Sequence, residues 1–273
     1  MAQNRSDVQY ETGIGTSDLH SIQVLGHDLA GELLGKVGFA ELAYWLATKR
    51  RPTPGQLRVF EAVLVSLADH GFTPTAIAAR LTYYSAPDSL QGAIAAGLLG
   101  GGSRFLGVTE DTGRYLHEVL ASLGETDAFT DADWDEAARS ALLAAKAARL
   151  KVPGLGHPNH KDGDPRTPVI FQIAEDEGVL GPHLTLFRAI GRVAPEVLGR
   201  ALPLNGAGVA GAALADAGLP LSMLRGFALL ARTAGLIGQL AEELENPIAP
   251  AVYDEVDRNA RYSPPTEHTP PEE

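Results

Sequence analysis

The sequence predicts an all-α protein. Ala and Leu dominate the middle of the chain, and the alternation of β-branched and polar residues that marks a half-buried strand is scarce. Apolar residues recur at three- and four-residue spacing instead. Pro, Thr and Gly punctuate these runs where helices begin and end.

The elements follow in order. Residues 1 to about 16 are polar and are expected to be mobile. Phe39 to Thr48 places Phe39, Leu42, Ala43 and Leu46 on one helical face. Arg51-Pro52-Thr53-Pro54 stops that helix and starts the next, with Thr53 as N-cap and Pro54 at the first helical position. Leu57 to Ala68 is strongly apolar and ends at Asp69-His70-Gly71, and Thr73-Pro74 opens another helix. Pro87 to Leu99 is rich in Gly and Ala, whose small side chains permit close helix packing, and Gly100-Gly101-Gly102 breaks it. Trp134 to Leu150 is amphipathic, and Leu150 to Arg166 is a loop of His, Gly, Pro and charge. Further helices are expected over Thr167 to Asp176, Pro182 to Ala194, Gly206 to Ala217 and Met223 to Leu244. The Pro- and Glu-rich end from Arg261 reads as a flexible tail.

Composition narrows the function classes. Hydrophobic residues make up 45% of 273, enough for a sizeable core. A net charge of -12 argues against general affinity for nucleic acid or an anionic membrane, although it leaves room for a local basic pocket that takes a phosphate. The absence of cysteine excludes disulfides, thiolate nucleophiles and Cys-ligated metals. The N-terminus has no apolar signal region, and no uninterrupted apolar run approaches the roughly 18 residues of a membrane helix. A cytoplasmic location is the default expectation.

Three places can carry chemistry. The loop Gly154-Leu155-Gly156-His157-Pro158-Asn159-His160-Lys161-Asp162-Gly163-Asp164-Pro165-Arg166 offers two imidazoles, a Lys and an Arg, with glycines that let a ligand approach. Arg166 suits bidentate capture of a carboxylate or phosphate. A solvated charged turn would read the same way. His157 and His160 have usable spacing for a metal, but a third ligand has no clear candidate, and no metal is expected. His70 sits at a helix end, where exposed histidines are common. Arg232 interrupts an apolar helix and must either reach solvent or find an anion.

Taken together, these segments resemble the citrate synthase and citryl-CoA lyase superfamily. Leu67-Ala68-Asp69-His70-Gly71 with Ala79-Arg80 is similar to the family's Asp-His segment and downstream Ala-Arg. Gly156-His157, Lys161 and Asp164-Pro165-Arg166 match its Gly-His…Lys…Asp-Pro-Arg loop, and Ala231-Arg232-Thr233-Ala234-Gly235 matches its Ala-Arg-Thr-Ala-Gly helix. Phe39-Ala40-Glu41-Leu42-Ala43-Tyr44-Trp45-Leu46 with Arg51-Pro52-Thr53-Pro54 resembles its N-terminal helix and turn. The resemblance runs from about residue 20 to 250, and the short length points to the compact citryl-CoA-lyase-like branch.

The resemblance implies a citrate-synthase-like helical fold, with a large domain of residues 17–106 and 216–262, a small domain of 107–215, and flexible tails 1–16 and 263–273. It implies a homodimer, a coenzyme A thioester as substrate and a small oxyacid as partner. His157 would be the catalytic acid/base. His70, Arg166, Arg232 and Asn205 would hold the oxyacid, and Gly156, His160 and Lys161 would lie on the CoA. The family's enol-stabilising His falls at Leu106 and its catalytic Asp at Ala207. Neither side chain can move a proton, so ordinary citrate synthesis would need substitutes. Glu110, Asp111 and Asp216 are candidates, each also readable as a surface carboxylate. Two functions follow: an acyl-CoA carbon–carbon lyase or synthase with altered chemistry or substrate, or a non-catalytic paralogue that binds a CoA ester or dicarboxylate and partners an active homologue.

Overall fold

The computed structural model describes residues 9–157 and 160–265. Among these, eleven α-helices and one small sheet fall into two compact units, Met1–Leu67 with Gly102–Ala231, and Ala68–Gly101 with Arg232–Glu273.

The first unit begins with strands that the sequence pattern did not reveal. β1 (Gly15–Ser17), β2 (Ile22–Val24) and β3 (His27–Asp28) form an antiparallel meander in which Gly15 pairs with Val24 and Gln23 with Asp28. Each strand is too short for alternation to show. Turn chemistry makes the sheet. The Asp18 carboxylate accepts from the His20 and Ser21 N–H groups, and Leu25 and Gly26, both at positive φ, supply the two-residue hairpin turn. Gly15 and Thr16 are therefore strand residues and not part of a mobile tail. The tail residues 1–8 and 266–273 lie outside the described residues.

A single π-helical turn, Leu29–Leu33, is capped by Asp28 and leads to α1 (Phe39–Thr48). The buried face of α1 differs from the expected one. Tyr44 and Trp45 are buried, while Phe39 is 73% exposed. Tyr44 is held there by partners for its hydroxyl, and Trp45 by a cation above its ring. The Tyr44 hydroxyl donates to the Ala217 carbonyl at 2.8 Å and accepts from Arg50, and Arg51 lies 4.2 Å above the Trp45 ring. In α2 (Pro54–Ala68), the Thr53 hydroxyl accepts from the Gln56 N–H, and the Gln56 side chain accepts from the Thr53 N–H. Phe60 then meets Tyr44 and Phe227 edge-to-face.

α5 (Val108–Leu123), α6 (Asp131–Ala147), α7 (Arg166–Asp176), α8 (Pro182–Leu198), α9 (Gly206–Asp216) and the first turns of α10 (Leu224–Glu245) complete this unit. α1 and α2 pack through Tyr44 and Phe60 onto Ala217 and Phe227. They therefore group with Gly102–Ala231 in one compact unit. α9 is almost entirely small residues because α5 crosses it at backbone contact. A Cβ at Gly211 would sit 2.1 Å from the Thr109 carbonyl oxygen. Gly211→Ala is expected to cost about 2 kcal/mol or more of unfolding free energy, measured by urea denaturation, because the obstruction is backbone and cannot rotate away.

The second unit holds α3 (Pro74–Ser85), α4 (Leu90–Leu99), the later turns of α10 and α11 (Ala249–Asn259). Ala79, Ala93, Leu236 and Leu240 form its core. The small residues expected to let α4 pack closely do so at Gly97, where a Cβ would meet Leu236 at 2.7 Å. A Cβ at Gly235 would fall 1.8 Å from the Ala68 carbonyl oxygen, so only glycine lets α10 pass the corner that carries His70. By length and composition α10, with the turn before it, could cross a membrane. It nonetheless carries Arg225, Arg232 and Glu243, and it contributes buried residues to the core of each unit.

Candidate functional site

The loop that carries His157 is fixed by backbone on both sides. Gly154 and Gly156 both have φ +82, which glycine adopts without strain. Leu155 forms a β-bridge with Leu204, the Gly156 N–H donates to the Pro203 carbonyl at 2.7 Å, and the Asn205 N–H donates to the Gly154 carbonyl at 2.9 Å. Asn205 closes the assembly. Its side-chain oxygen caps α9 by accepting from the Gly208 N–H, and its NH2 donates to the Gly156 carbonyl at 2.8 Å. The residue expected to touch the oxyacid thus spends its amide on holding the His157 loop.

His157 is half-buried, and its Nδ1 accepts from the His160 N–H at 3.0 Å. A neutral ring with Nδ1 as acceptor carries its proton on Nε2, which makes it a donor to a carbonyl oxygen. The His160 ring lies 4.5 Å from that of His157, and Lys161 is exposed. Pro158 and Asn159 lie outside the described residues.

Arg166 is held by its neighbour. The buried Asp164 carboxylate accepts from Arg166 Nε at 3.0 Å, Arg166 Nη2 at 2.7 Å and the Gly206 N–H at 2.7 Å, and Arg166 Nη1 donates to the Ser66 carbonyl. Burial alone would raise the Asp164 pKa. The hydrogen bonds from Arg166 and Gly206, together with the Arg166 charge, outweigh it and hold the carboxyl well below the usual carboxylate range. A Cβ at Gly206 would sit 2.3 Å from Arg166 Nε, so the glycine makes room for the guanidinium. Three of the five Arg166 N–H groups are used in this way.

In the second unit His70 is half-buried at the corner between α2 and α3, with Gly71 at φ +70. Arg232 is buried on α10, and its charge is among the influences that lower the pKa of Asp69 against the opposing effect of burial.

Leu106 is only 8% exposed and belongs to the first unit's core. Its φ of +62 is a left-handed conformation that a bulky residue rarely adopts. Gly107 is obligatory beside it, because a Cβ there would meet Gly102 at 2.7 Å. Ala207 lies half-buried in the first turn of α9. The three carboxylates considered as substitutes are all engaged. Glu110 pairs with Arg114 at 2.9 Å and Asp111 with Arg225 at 3.3 Å. Asp216 caps α8 by accepting from the Gly181 and Leu184 N–H groups and pairs with His183 at 2.8 Å.

Sequence reasoning missed a cavity of about 450 Å³ beside the His157 loop. Leu142, Leu155 and Leu202 give it apolar walls, and Lys146, Arg149, Lys151 and Arg200 surround it with cations. The Lys146 ammonium donates to the Val197 carbonyl. In a chain of net charge -12 this is a local reversal of sign, suited to an anionic ligand with a flat apolar part. The run Lys146, Arg149, Lys151 was the signal available in the sequence. Arg200 arrives from the far end of α8.

Comparison with known proteins agrees with this architecture. Citryl-CoA lyase from Hydrogenobacter thermophilus superimposes with a TM-score of 0.81 at 30% identity, covering 95% of this chain and 97% of that one. ATP citrate lyase from Methanosaeta concilii, solved with (3S)-citryl-CoA, shares the fold at a TM-score of 0.78 and 19% identity, with 97% of this chain on 43% of that one. Citrate synthase from Thermoplasma acidophilum, solved with carboxymethyl coenzyme A and oxaloacetate, gives 0.64 and 18%, covering 85% and 58%. No curated protein matches the chain. The family model for the citrate synthase C-terminal domain matches residues 22–250, and with that match the chain belongs to the citrate synthase family.

Proposed function

We propose that this protein binds a coenzyme A thioester and an oxyacid and makes or breaks a carbon–carbon bond with altered chemistry or on a substrate other than acetyl-CoA. The observation that carries the reading is the cationic, apolar-walled cavity beside the His157 loop. An adenine ring suits its leucine walls, and the CoA phosphates suit Lys146, Arg149, Lys151 and Arg200. Leu155 lines the cavity two residues before His157, so a bound thioester would extend toward an imidazole able to protonate a carbonyl oxygen. His70, Arg166 and Arg232 are the residues assigned to the oxyacid. Leu106 and Ala207 offer neither an oxyanion donor nor a base. A substrate whose carbanion is already stabilised, such as a β-keto or vinylogous acyl-CoA, would not need them. The family resemblance supports a homodimer.

Purified protein is incubated with acetyl-CoA plus oxaloacetate, and separately with citryl-CoA, while free thiol is followed. Little or no thiol release from the first mixture is expected. Turnover at ordinary enzymatic rates, about 1–1000 per second, contradicts the assigned consequence of Leu106 and Ala207. In parallel, CoA at a hundred times its dissociation constant should add about 2.7 kcal/mol of stability, and Arg200→Glu should abolish most of that gain. Stabilisation by CoA esters with no turnover of any acyl-CoA favours the alternative, a binding paralogue that partners an active homologue, for which Leu106 and Ala207 are the supporting observation. No stabilisation by any CoA compound contradicts both.

A further inference from the structure

The Asp69-His70-Gly71 corner is held by a polar relay that runs back to a buried arginine. Asp69 Oδ2 accepts from the Gly71 N–H at 2.8 Å, and Asp69 Oδ1 accepts from Gln239 Nε2 at 2.9 Å. The Gln239 Oε1 accepts from Arg80 Nε at 2.8 Å. Arg80 is only 1% exposed. It also donates to Glu243 at 2.8 Å and to Glu242, and it lies 5.1 Å from the Phe72 ring. The orientation of the Gln239 amide is fixed by its neighbours, because a guanidinium only donates and a carboxylate only accepts. Glutamine alone among the side chains of this length supplies an acceptor toward Arg80 and a donor toward Asp69. Gln239 is itself buried, at 9% exposed, one helical turn after Gly235, where α10 touches the Ala68 carbonyl.

We propose that Gln239 is a positioning residue, which with Asp69 and Arg80 fixes the corner that presents His70 to the oxyacid. The inference rests on the reading of His70 as an oxyacid-holding residue. It gives a role to Arg80, which the sequence motif included without assigning one. Replacement by an apolar side chain cuts both bonds. Replacement by a carboxylate keeps the bond to Arg80 but sets two anions face to face at Asp69. The charged groups around position 239 are Arg80, Arg232, Asp69, Glu242 and Glu243, a net negative surrounding. Burial and the like charge of Asp69 favour protonation of an introduced carboxyl as pH falls, against the opposing pull of Arg80, and the protonated form can again donate to Asp69.

The test uses the full chain with Gln239→Glu and Gln239→Met. Citrate is the probe for calorimetric binding, and the His70 ring signal, identified by its loss in His70→Ala, is followed by NMR. At pH 8 both variants are expected to bind citrate about tenfold more weakly than wild type and to shift the His70 signal. At pH 5, Gln239→Glu should return toward the wild-type signal and affinity, while Gln239→Met should not. Ratios of variant to wild type at each pH cancel the titration of citrate itself. If Gln239→Glu fails to fold, Gln239→Met carries the pH 8 comparison. A His70 signal that coincides with wild type at pH 8 overturns the inference. If wild-type protein does not bind citrate, the oxyacid reading falls, and the His70 signal still decides whether Gln239 positions that ring.

Discussion

Arg80→Ala is expected to destabilise the protein by about 3–5 kcal/mol, the range for removing one partner of a buried ion pair. The cost arises from what is left behind. Glu243 is buried and also accepts from the Ile248 and Ala249 N–H groups, so it holds the start of α11 as well as Arg80. Burial alone would raise the Glu243 pKa, but the Arg80 guanidinium and these N–H groups lower it. Without Arg80 the carboxylate must stay charged and unpaired or take up a proton. Lysine has a single head and cannot serve Gln239, Glu242 and Glu243 together, so Arg80→Lys should recover only part of the loss. Urea denaturation at pH 7 measures both. In a Glu243→Gln background the cost of Arg80→Ala should fall by more than 1 kcal/mol, since the stranded charge is gone. Equal costs in the two backgrounds would remove the ion pair as the cause.

Asp164→Asn should have a comparable effect, about 3 kcal/mol, on the other unit. The carboxylate takes hydrogen bonds from two Arg166 nitrogens and from the Gly206 N–H, and the amide can present only one oxygen. The loss reaches the His157 loop, because Gly206 follows the Asn205 cap that grips Gly156. The pH dependence has a definite sign. The folded pKa of Asp164 lies below its unfolded value, which is about 3.9. Its contribution is therefore present at neutral pH and down to about pH 5, and it disappears as pH falls through about 4 and below. Wild type should lose stability steeply over that acid range, and Asp164→Asn should follow a shallower curve. Parallel curves from pH 6 to 2 would assign the acid sensitivity to other groups.

How much of this was legible in the sequence depended on whether the deciding residues were neighbours in the chain. α1 was readable to its ends, and the starts of α2, α3 and α9 were readable because Thr53-Pro54, Thr73-Pro74 and Asn205 are caps whose chemistry is local. α5 was not readable. Its first turns, Val-Thr-Glu-Asp-Thr-Gly, have low helix propensity, and packing of Gly113 against α9 supplies what propensity lacks. The meander over Gly15–Asp28 is made by turns and not by alternation. In the site, Gly156-His157 and Asp164-Pro165-Arg166 stood out because glycine, histidine and arginine in one loop are unusual. The cavity did not stand out, since Arg149 and Arg200 come from the ends of two helices. Gln239 could not be singled out at all, because a glutamine on a long helix has no signature until Arg80 and Asp69 are found on either side of it.

The proposed division between a retained binding half and a missing enolate-forming half has one direct test. Acetyl-CoA is followed by proton NMR in D2O with the protein and an oxaloacetate analogue, which reports binding and methyl-proton exchange in the same sample. Saturation transfer from protein to the CoA, with no exchange of the methyl protons above the protein-free rate, is the predicted result. Rapid incorporation of deuterium into the methyl group would mean that a base and an oxyanion donor are at work despite Leu106 and Ala207, and would contradict the proposal.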